Sequence, residues 1–403
     1  MSFYLYELFM ESNKKRLLLT NGRSPITLYL ARLLHSNGHD IYVTDTQKIH
    51  YCRFSNCVKK NLVVPAPRLH PDEYVDALVK IVQEEEIDML IPNWEDVLPI
   101  SKRKSLFPSS CKVFVTEFDL LRRVHHKGNF ISLLRSLDFE TQKTEPLYNR
   151  ENLERVDIPV FALKQGFSRS SKYVYKVRKG GPYPPVSPSK EEEWVAQEWL
   201  SGRVFCTYTL CHEGKVFAHS TYPMEFVKDH NGTRHANIGS YCLCFNSVHH
   251  EKILKWVEEF TAKTNFTGQL AFDFIEIPNG KLYAIECNPR LTSGVTLFHT
   301  NDHLDAAFFG INPQLITPSS KIEKQLLLPM IFMGWQPAWI CNKWSLYFKK
   351  LLIAKDIVFD IRDIKPFLFQ SLIILKCLWS SFQNKSSIAS SFTDDLDYNG
   401  EKS

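Results

Sequence analysis

Residues 273–290 read DFIEIPNGKLYAIECNPR, and the reading of this stretch decides the fold. Asn279-Gly280 is a tight-turn dipeptide between two apolar, alternating runs, which predicts a β-hairpin pairing residues 272–277 with 281–286. Side chains alternate faces along a strand, so Glu286 and Asn288 share a face and Arg290 follows beyond Pro289. Once the turn closes, Asp273 on the partner strand comes within cross-strand reach. Two carboxylates and an amide oxygen from neighbouring strands make a hard oxygen site suited to Mg2+, with Mn2+ as its substitute. An adjacent arginine suits the charge that develops in phosphoryl transfer. For any one of these acids a solvated surface position is the plain alternative; for the E-x-N-P-R arrangement after D-F it is not.

Working outward, the chain before this hairpin changes character near residue 119. Over residues 16–115, short apolar runs (RLLLT at 16–20, DIYVT at 40–44, DMLIP at 88–92, KVFV at 112–115) alternate with helical periodicity at 26–36 and 73–86. Strands alternating with helices imply a parallel sheet with right-handed crossovers, an α/β domain. Residues 119–137 read as one connecting helix. From Val160 onward alternating strands take over (160–164, 173–177, 204–210, 215–219, 269–275), with an amphipathic helix at 253–264, so the second domain is mixed α+β.

The E-C-N-P-R segment resembles the metal-binding strand of the ATP-grasp superfamily, in the branch of carbamoyl-phosphate synthase large subunits, biotin carboxylase and carboxylate–amine ligases. The resemblance covers roughly residues 16–310. It implies a Rossmann-like pre-ATP-grasp domain, then a two-lobed ATP-grasp domain, with ATP and Mg2+ (or Mn2+) as cofactors. It also implies Asp273, Glu286 and Asn288 as metal ligands and Arg290 as a phosphate contact. PVFALK at 159–164 is similar to the strand whose terminal lysine meets the ATP phosphates, which assigns Lys164. Lys127, in HKGNF at 126–130, takes the part of the second phosphate-contacting base.

In QGFSRSS at 165–171, where relatives place several glycines over the phosphates, this chain keeps Gly166 and offers Ser168 and Arg169 as donors. WVAQEWLSG at 194–202 resembles the interdomain hinge that reads adenine. Backbone groups around Trp199 and Leu200 would meet the purine, and Gln197 or Glu198 the amino group or ribose. The first strand–helix turn, TNGRSP at 20–25, is not G-x-G-x-x-G, so a nicotinamide dinucleotide is poorly supported. It resembles the loop that holds the acceptor substrate, and Arg23 with Glu95 are candidate substrate contacts, with helix capping or a salt bridge as the equal alternative. Lys228, Arg234 and His235 lie in a polar loop between Tyr222 and Tyr241 that is open to the phosphates or the substrate, with a solvated position as the default for His235.

Composition narrows the classes. The chain has 403 residues and a net charge of only +5, too small an excess to argue for nucleic acid. Its ten cysteines show no C-x-x-C pair, and residues 1–10 carry Glu7 without a basic n-region, so a reduced, cytoplasmic protein is expected. Apolar stretches near the C-terminus fall short of a spanning helix. The expected organisation is an extension at 1–15, a pre-ATP-grasp domain at 16–118 and an ATP-grasp domain at 119–310. Within the latter, the small lobe covers about 145–200 and the large lobe 201–310. A helical C-terminal region at 311–385 and a mobile tail at 386–403 complete the chain.

The C-terminal region holds four of the eight tryptophans and, over 331–382, seven bases against three acids. Packing on the ATP-binding domain is the favoured reading, and weak membrane-surface contact the rival. The expected activity is an ATP-dependent, C–N bond-forming ligase acting on small carboxylate and amine substrates. A nucleotide-binding module without turnover is the competing class.

Overall fold

The computed structural model describes residues 14–167, 174–224, 243–311, 314–318, 323–340, 342–383, 392–398 and 400. Ser168, Arg169, Lys228, Arg234 and His235 lie outside the described residues. The first five strands are β1 (Arg16–Leu19), β2 (Asp40–Asp45), β3 (Val58–Val63), β4 (Met89–Ile91) and β5 (Lys112–Val113). All pair in parallel, in the order β3-β2-β1-β4-β5. β1, β2 and β4 are near-continuous apolar runs because helices such as Pro25–Ser36 and Pro71–Glu84 are needed to connect parallel strands and cover their faces. The edge strand β3 was not legible in the sequence, since Lys59, Lys60 and Asn61 interrupt its apolar pattern.

The strand order reverses between β1 and β4, and in such sheets ligands bind where the loops part at the strands' C-terminal ends. Here those loops lie side by side: the Asn93 amide donates to Thr20 Oγ1 at 2.9 Å, and Asn93 Nδ2 to the Thr20 carbonyl at 3.2 Å.

The connecting helix expected over residues 119–137 is two helices, Phe118–His125 and Lys127–Ser136. His126 between them is extended (φ −78°, ψ 121°), and its imidazole accepts from the Asn129 amide at 3.2 Å. That cap supplies one of the partners a helix N-terminus lacks. It also makes Lys127 the first residue of the second helix.

Next comes an antiparallel sheet of β6 (Thr144–Leu147), β7 (Val160–Gln165), β8 (Val174–Arg178) and β9 (Trp194–Glu198), ordered β6-β9-β7-β8. Residues 199–202 cross from it into a second group: β10 (Arg203–His212), β11 (Lys215–Pro223), the short β12 (Cys244–Asn246), β13 (Gly268–Glu276) and β14 (Leu282–Asn288). Four of these form an antiparallel sheet, β11-β10-β13-β14. The helix Glu251–Thr264 covers one of its faces, with Phe260 at 5.1 Å from Phe272 between ring centroids and Trp256 at 5.0 Å from Phe274. Phe130 of the second linker helix joins the same cluster, 6.0 Å from Phe272. Burial of these rings is what fixes the linker helices against the sheet.

The C-terminal region is helical as expected, and β15 (Glu323–Gln325) and β16 (Lys355–Asp356) within it join β12 in a three-stranded sheet. Strands of two or three residues carry no readable period. The tail expected to be mobile is docked over residues 392–398, where Asp395 and Asp397 meet Arg23 and Trp94. Their partners lie more than 300 positions away, beyond any local pattern. No helix among the described residues is long and apolar enough to cross a membrane.

Candidate active site

The hairpin of β13 and β14 sets the centre. Asp273 and Glu286 are direct partners in its register, and a bulge follows Asp273 at once, turning the two carboxylates together at the sheet's edge. Asn288, two residues on from Glu286, donates its amide Nδ2 to Glu286 Oε1 at 3.4 Å. Arg290 Nη2 donates to Asn288 Oδ1 at 3.4 Å. The structure therefore brings Glu286 and Asn288, which strand alternation had placed on one face, together with Asp273 across the hairpin and with Arg290.

Two lysines from other elements converge on the same carboxylates. Lys127 Nζ lies 3.6 Å from Glu286 Oε2, held there by the helix cap at His126. Lys164, near the end of β7, is 7% exposed, and its Nζ donates to Gln197 Oε1 at 2.6 Å. Burial pushes the Lys164 ammonium down to about 8 and Lys127 adds to this, while Glu286 and Asp273 pull the other way. Burial pushes the Asp273 carboxyl up to about 6, and the facing Glu286 adds to it. Burial also opposes the charge of Glu286, but Lys127 and Lys164 hold that carboxyl below its ordinary range.

Two acids set opposite each other in a half-buried place form a donor set that a divalent cation relieves. The hard-oxygen chemistry fits Mg2+ or Mn2+, with Asp273, Glu286 and the Asn288 amide oxygen as its protein ligands. No group of three or more His, Cys, Asp or Glu that could hold a metal ion is present among the described residues.

The hinge residues divide. Gln197 is buried and turned to Lys164 rather than outward to a base edge. Glu198 is exposed, and its Oε2 accepts from the Lys143 amide at 3.2 Å. Trp199 and Leu200 are half-buried at the crossing between the two sheets, where the Trp199 amide donates to the Val160 carbonyl at 2.9 Å and Lys176 Nζ lies 4.6 Å from the Trp199 ring.

The parallel sheet's strand ends form the opposite wall. The Arg290 guanidinium lies 4.0 Å from the centre of the Trp94 ring, so the metal hairpin and the β4 loop touch through a cation–π contact. Glu95 is 1% exposed and lies 3.5 Å from His125 Nε2. Arg23 is 1% exposed, with Nε at 3.0 Å and Nη2 at 2.7 Å from Asp45 Oδ1. Arg23 Nη1 donates to Asp395 Oδ1 at 2.7 Å, and although burial opposes it, these two acids raise the guanidinium above its ordinary range.

Asp45, Thr46, His125 and the tail acids were missed from the sequence. An acid closing the apolar run DIYVTD at a strand's C-terminal end is a signal that could have found Asp45.

The architecture matches solved structures at low identity. Over 82% of this chain and 86% of the other, it superposes on N5-carboxyaminoimidazole synthetase from Staphylococcus aureus with a TM-score of 0.56 at 12% identity. L-amino acid ligase from Bacillus licheniformis gives 0.54 at 16% identity, over 76% and 78% of the two chains. The biotin carboxylase domain of 2-oxoglutarate carboxylase from Hydrogenobacter thermophilus, in complex with MgADP and bicarbonate, gives 0.51 at 13% identity, over 69% and 64%. No protein-family model matches the sequence, and no curated protein matches it. The fold is the ATP-grasp fold.

Proposed function

We propose that this ATP-grasp chain is an ATP- and Mg2+-dependent ligase that activates a small carboxylate as an acyl phosphate and passes the acyl group to an amine. The observation that carries the reading is the convergence of Lys127, Lys164 and Arg290 on the paired carboxylates Asp273 and Glu286. That arrangement suits a triphosphate: cations for phosphate oxygens, and acids that would hold the metal accompanying them. When bound, Mg2+ would neutralise phosphate charge at Asp273, Glu286 and Asn288.

The chain's own residues do the rest. Lys164 and Lys127 hold the phosphates, and Gln197 orients the Lys164 ammonium. Arg290, fixed over Trp94, meets the transferring group from the first domain's side. Trp199 and Leu200 would receive the adenine, with Glu198 toward the ribose, and Ser168 and Arg169 would cover the phosphates. No nucleophilic side chain is needed, because positioning and charge stabilisation carry phosphoryl transfer. The carboxylate-activating half of a carbamoyl-phosphate-synthase-like reaction is the template. Eight cysteines among the described residues are free thiols, which supports a reducing cytoplasm as the setting.

Hydroxylamine tests the reaction. With ATP, Mg2+ and a stimulating acid but no amine, it should capture the acyl phosphate as a hydroxamate in step with ADP release, and chelation of Mg2+ should abolish both. ADP release with a stable phosphorylated product instead would make the protein a kinase.

A second reading concerns place. Among the described residues, sixteen of the twenty-one exposed large apolar side chains fall between Ile331 and Phe382. On the helix Lys365–Gln383, Leu368, Leu372, Leu375, Trp379 and Phe382 form an outward stripe while Gln370 and Ile373 face in. The exposed charges of 331–382 are all basic (Lys343, Lys349, Lys355, Arg362, Lys365, Lys376), since Asp356 and Asp360 are half-buried and Asp363 is buried. Apolar, tryptophan-bearing and basic without exposed acid is the surface that an anionic bilayer complements, whereas a second copy would meet it with like charge. Vesicles containing phosphatidylserine should pull the protein down, less so in 0.5 M salt, and neutral vesicles should not. Equal failure with both would end this reading.

A further inference from the structure

The segment Phe392 to Tyr398 packs on the loops after β1, β2 and β4 and meets Arg23 and Glu95, the candidate substrate contacts. The Asp395 carboxylate takes Arg23 Nη1 at 2.7 Å and Nη2 at 3.0 Å, and it also bonds the Thr46 hydroxyl. Arg23 Nη1 further donates to the Phe392 carbonyl at 3.2 Å. Trp94 Nε1 donates to Asp397 Oδ1 at 3.0 Å. The Tyr398 amide donates to Glu95 Oε2 at 2.6 Å. The Tyr398 ring packs edge-on against Phe167, which follows β7, with centroids 5.5 Å apart.

Three observations separate this from an ordinary terminal strap. First, Arg23 already has a buried carboxylate partner in Asp45, with side chains 2% and 0% exposed, so its charge is balanced without the tail. The Asp395 side chain is 28% exposed and is the outer member of the cluster. Second, the contacts fall on the loops after β1, β2 and β4, at the reversal of strand order where small ligands settle in such sheets. Third, the donors and acceptor are of the kind a small acid recruits: a guanidinium edge, a hydroxyl, an indole N–H, and a carboxylate for an N–H. One indole separates Asp397 from Arg290, the residue read as the contact for the transferring phosphoryl group.

We infer that Arg23, Thr46, Trp94 and Glu95 form the binding pocket for an acid substrate, and that the acidic C-terminal segment fills this pocket as an internal stand-in which a carboxylate ligand must displace. The inference rests on the ligase reading for the word substrate, but the competition it asserts is a matter of binding alone. A pocket open in one molecule in a hundred shows its ligand an affinity weaker by about a hundredfold. A tail held by two carboxylates would therefore suppress turnover until substrate is plentiful.

The test uses the full chain and a synthetic peptide of residues 392–398, FTDDLDY. In the double variant Asp395→Asn/Asp397→Asn, calorimetry should show the peptide binding at least tenfold more tightly than in the wild type, and succinate or L-glutamate should compete with it. In the wild-type protein, millimolar succinate or L-glutamate should speed hydrogen exchange of segment 392–398. Equal peptide binding by both proteins, or a variant that only melts earlier without gaining affinity, overturns the inference. So does an exchange rate that neither acid changes, which decides the matter even if the variant does not fold. None of these readouts uses ATP. A failed hydroxamate test beside positive competition would sink the ligase and leave the pocket, and the reverse result would do the opposite.

Discussion

Lys164 is a cation that its surroundings work against. Burial brings it down from 10.5 to about 8, so over pH 8 to 10 the folded chain has lost a proton that the unfolded chain keeps. Stability rises with pH wherever the unfolded state holds more protons. The wild type should therefore gain stability across that window, at about 1.4 kcal/mol per unit at most, and Lys164→Met should not; urea titrations at pH 7.5 and 9.5 compare them. Nucleotide binding runs the other way, because the phosphates need the charged form. Affinity for a nonhydrolysable ATP analogue should hold below pH 8 and fall above it, and Lys164→Ala should weaken it by roughly 1.5–3 kcal/mol. An unchanged Kd by calorimetry would move the phosphate site elsewhere. At this scale much was legible: strand alternation set Glu286 and Asn288 on one face, and the Asn279-Gly280 turn brought Asp273 opposite Glu286. The turn of Gln197 toward Lys164 was not, because it depends on how β9 pairs with β7, where Ala162 faces Gln197.

The break between the linker helices is decided by an element boundary that periodicity cannot show. Apolar residues recur at helical spacing straight through His126, yet the chain extends there and restarts, and the restart aims Lys127 inward. Gly166 supports the break from β7: its carbonyl accepts from the Lys127 amide at 3.1 Å, and a Cβ on it would lie 2.1 Å from His126 Nε2. His126 is hemmed in by Phe167 at 4.7 Å and Glu193 at 3.1 Å, so its ring has little room to yield. Gly166→Ala should accordingly cost roughly 1–3 kcal/mol, the range for overpacking a tight site. In a His126→Ala background, itself about 1 kcal/mol weaker for the lost cap, the same change should cost little. A double-mutant cycle in urea checks this, and additive losses would refute it. The single glycine kept in this loop thus serves the helix break.

Across the whole molecule, the buried ion pair of Arg32 and Asp363 is among the contacts that tie the C-terminal region to the first domain. Arg32 donates to Asp363 Oδ2 at 2.9 Å and to the carbonyls of Ile357, Val358 and Asp363, while Phe54 stacks on Phe369 at 4.3 Å. Arg32→Met leaves Asp363 buried without its cation and should cost about 3–5 kcal/mol, and Arg32→Met/Asp363→Leu should recover much of that. Thermal melts of the two variants distinguish them; equal losses would show that the pair is incidental. The sequence's composition marked this region as packed helices, and the helices are there. Its attachment was hidden because Arg32 sits in a helix pattern 331 positions from Asp363. The docked tail adds a matter of timing. Arg23 and Asp395 are separated by 372 positions, and a ribosome adding 5–20 residues per second needs roughly 20–75 s to cover them. For the last part of that interval, once Arg290 can meet Trp94, a nascent chain would carry the cleft with its acidic occupant still unmade. Each molecule would pass through an open form before the tail that covers the pocket exists.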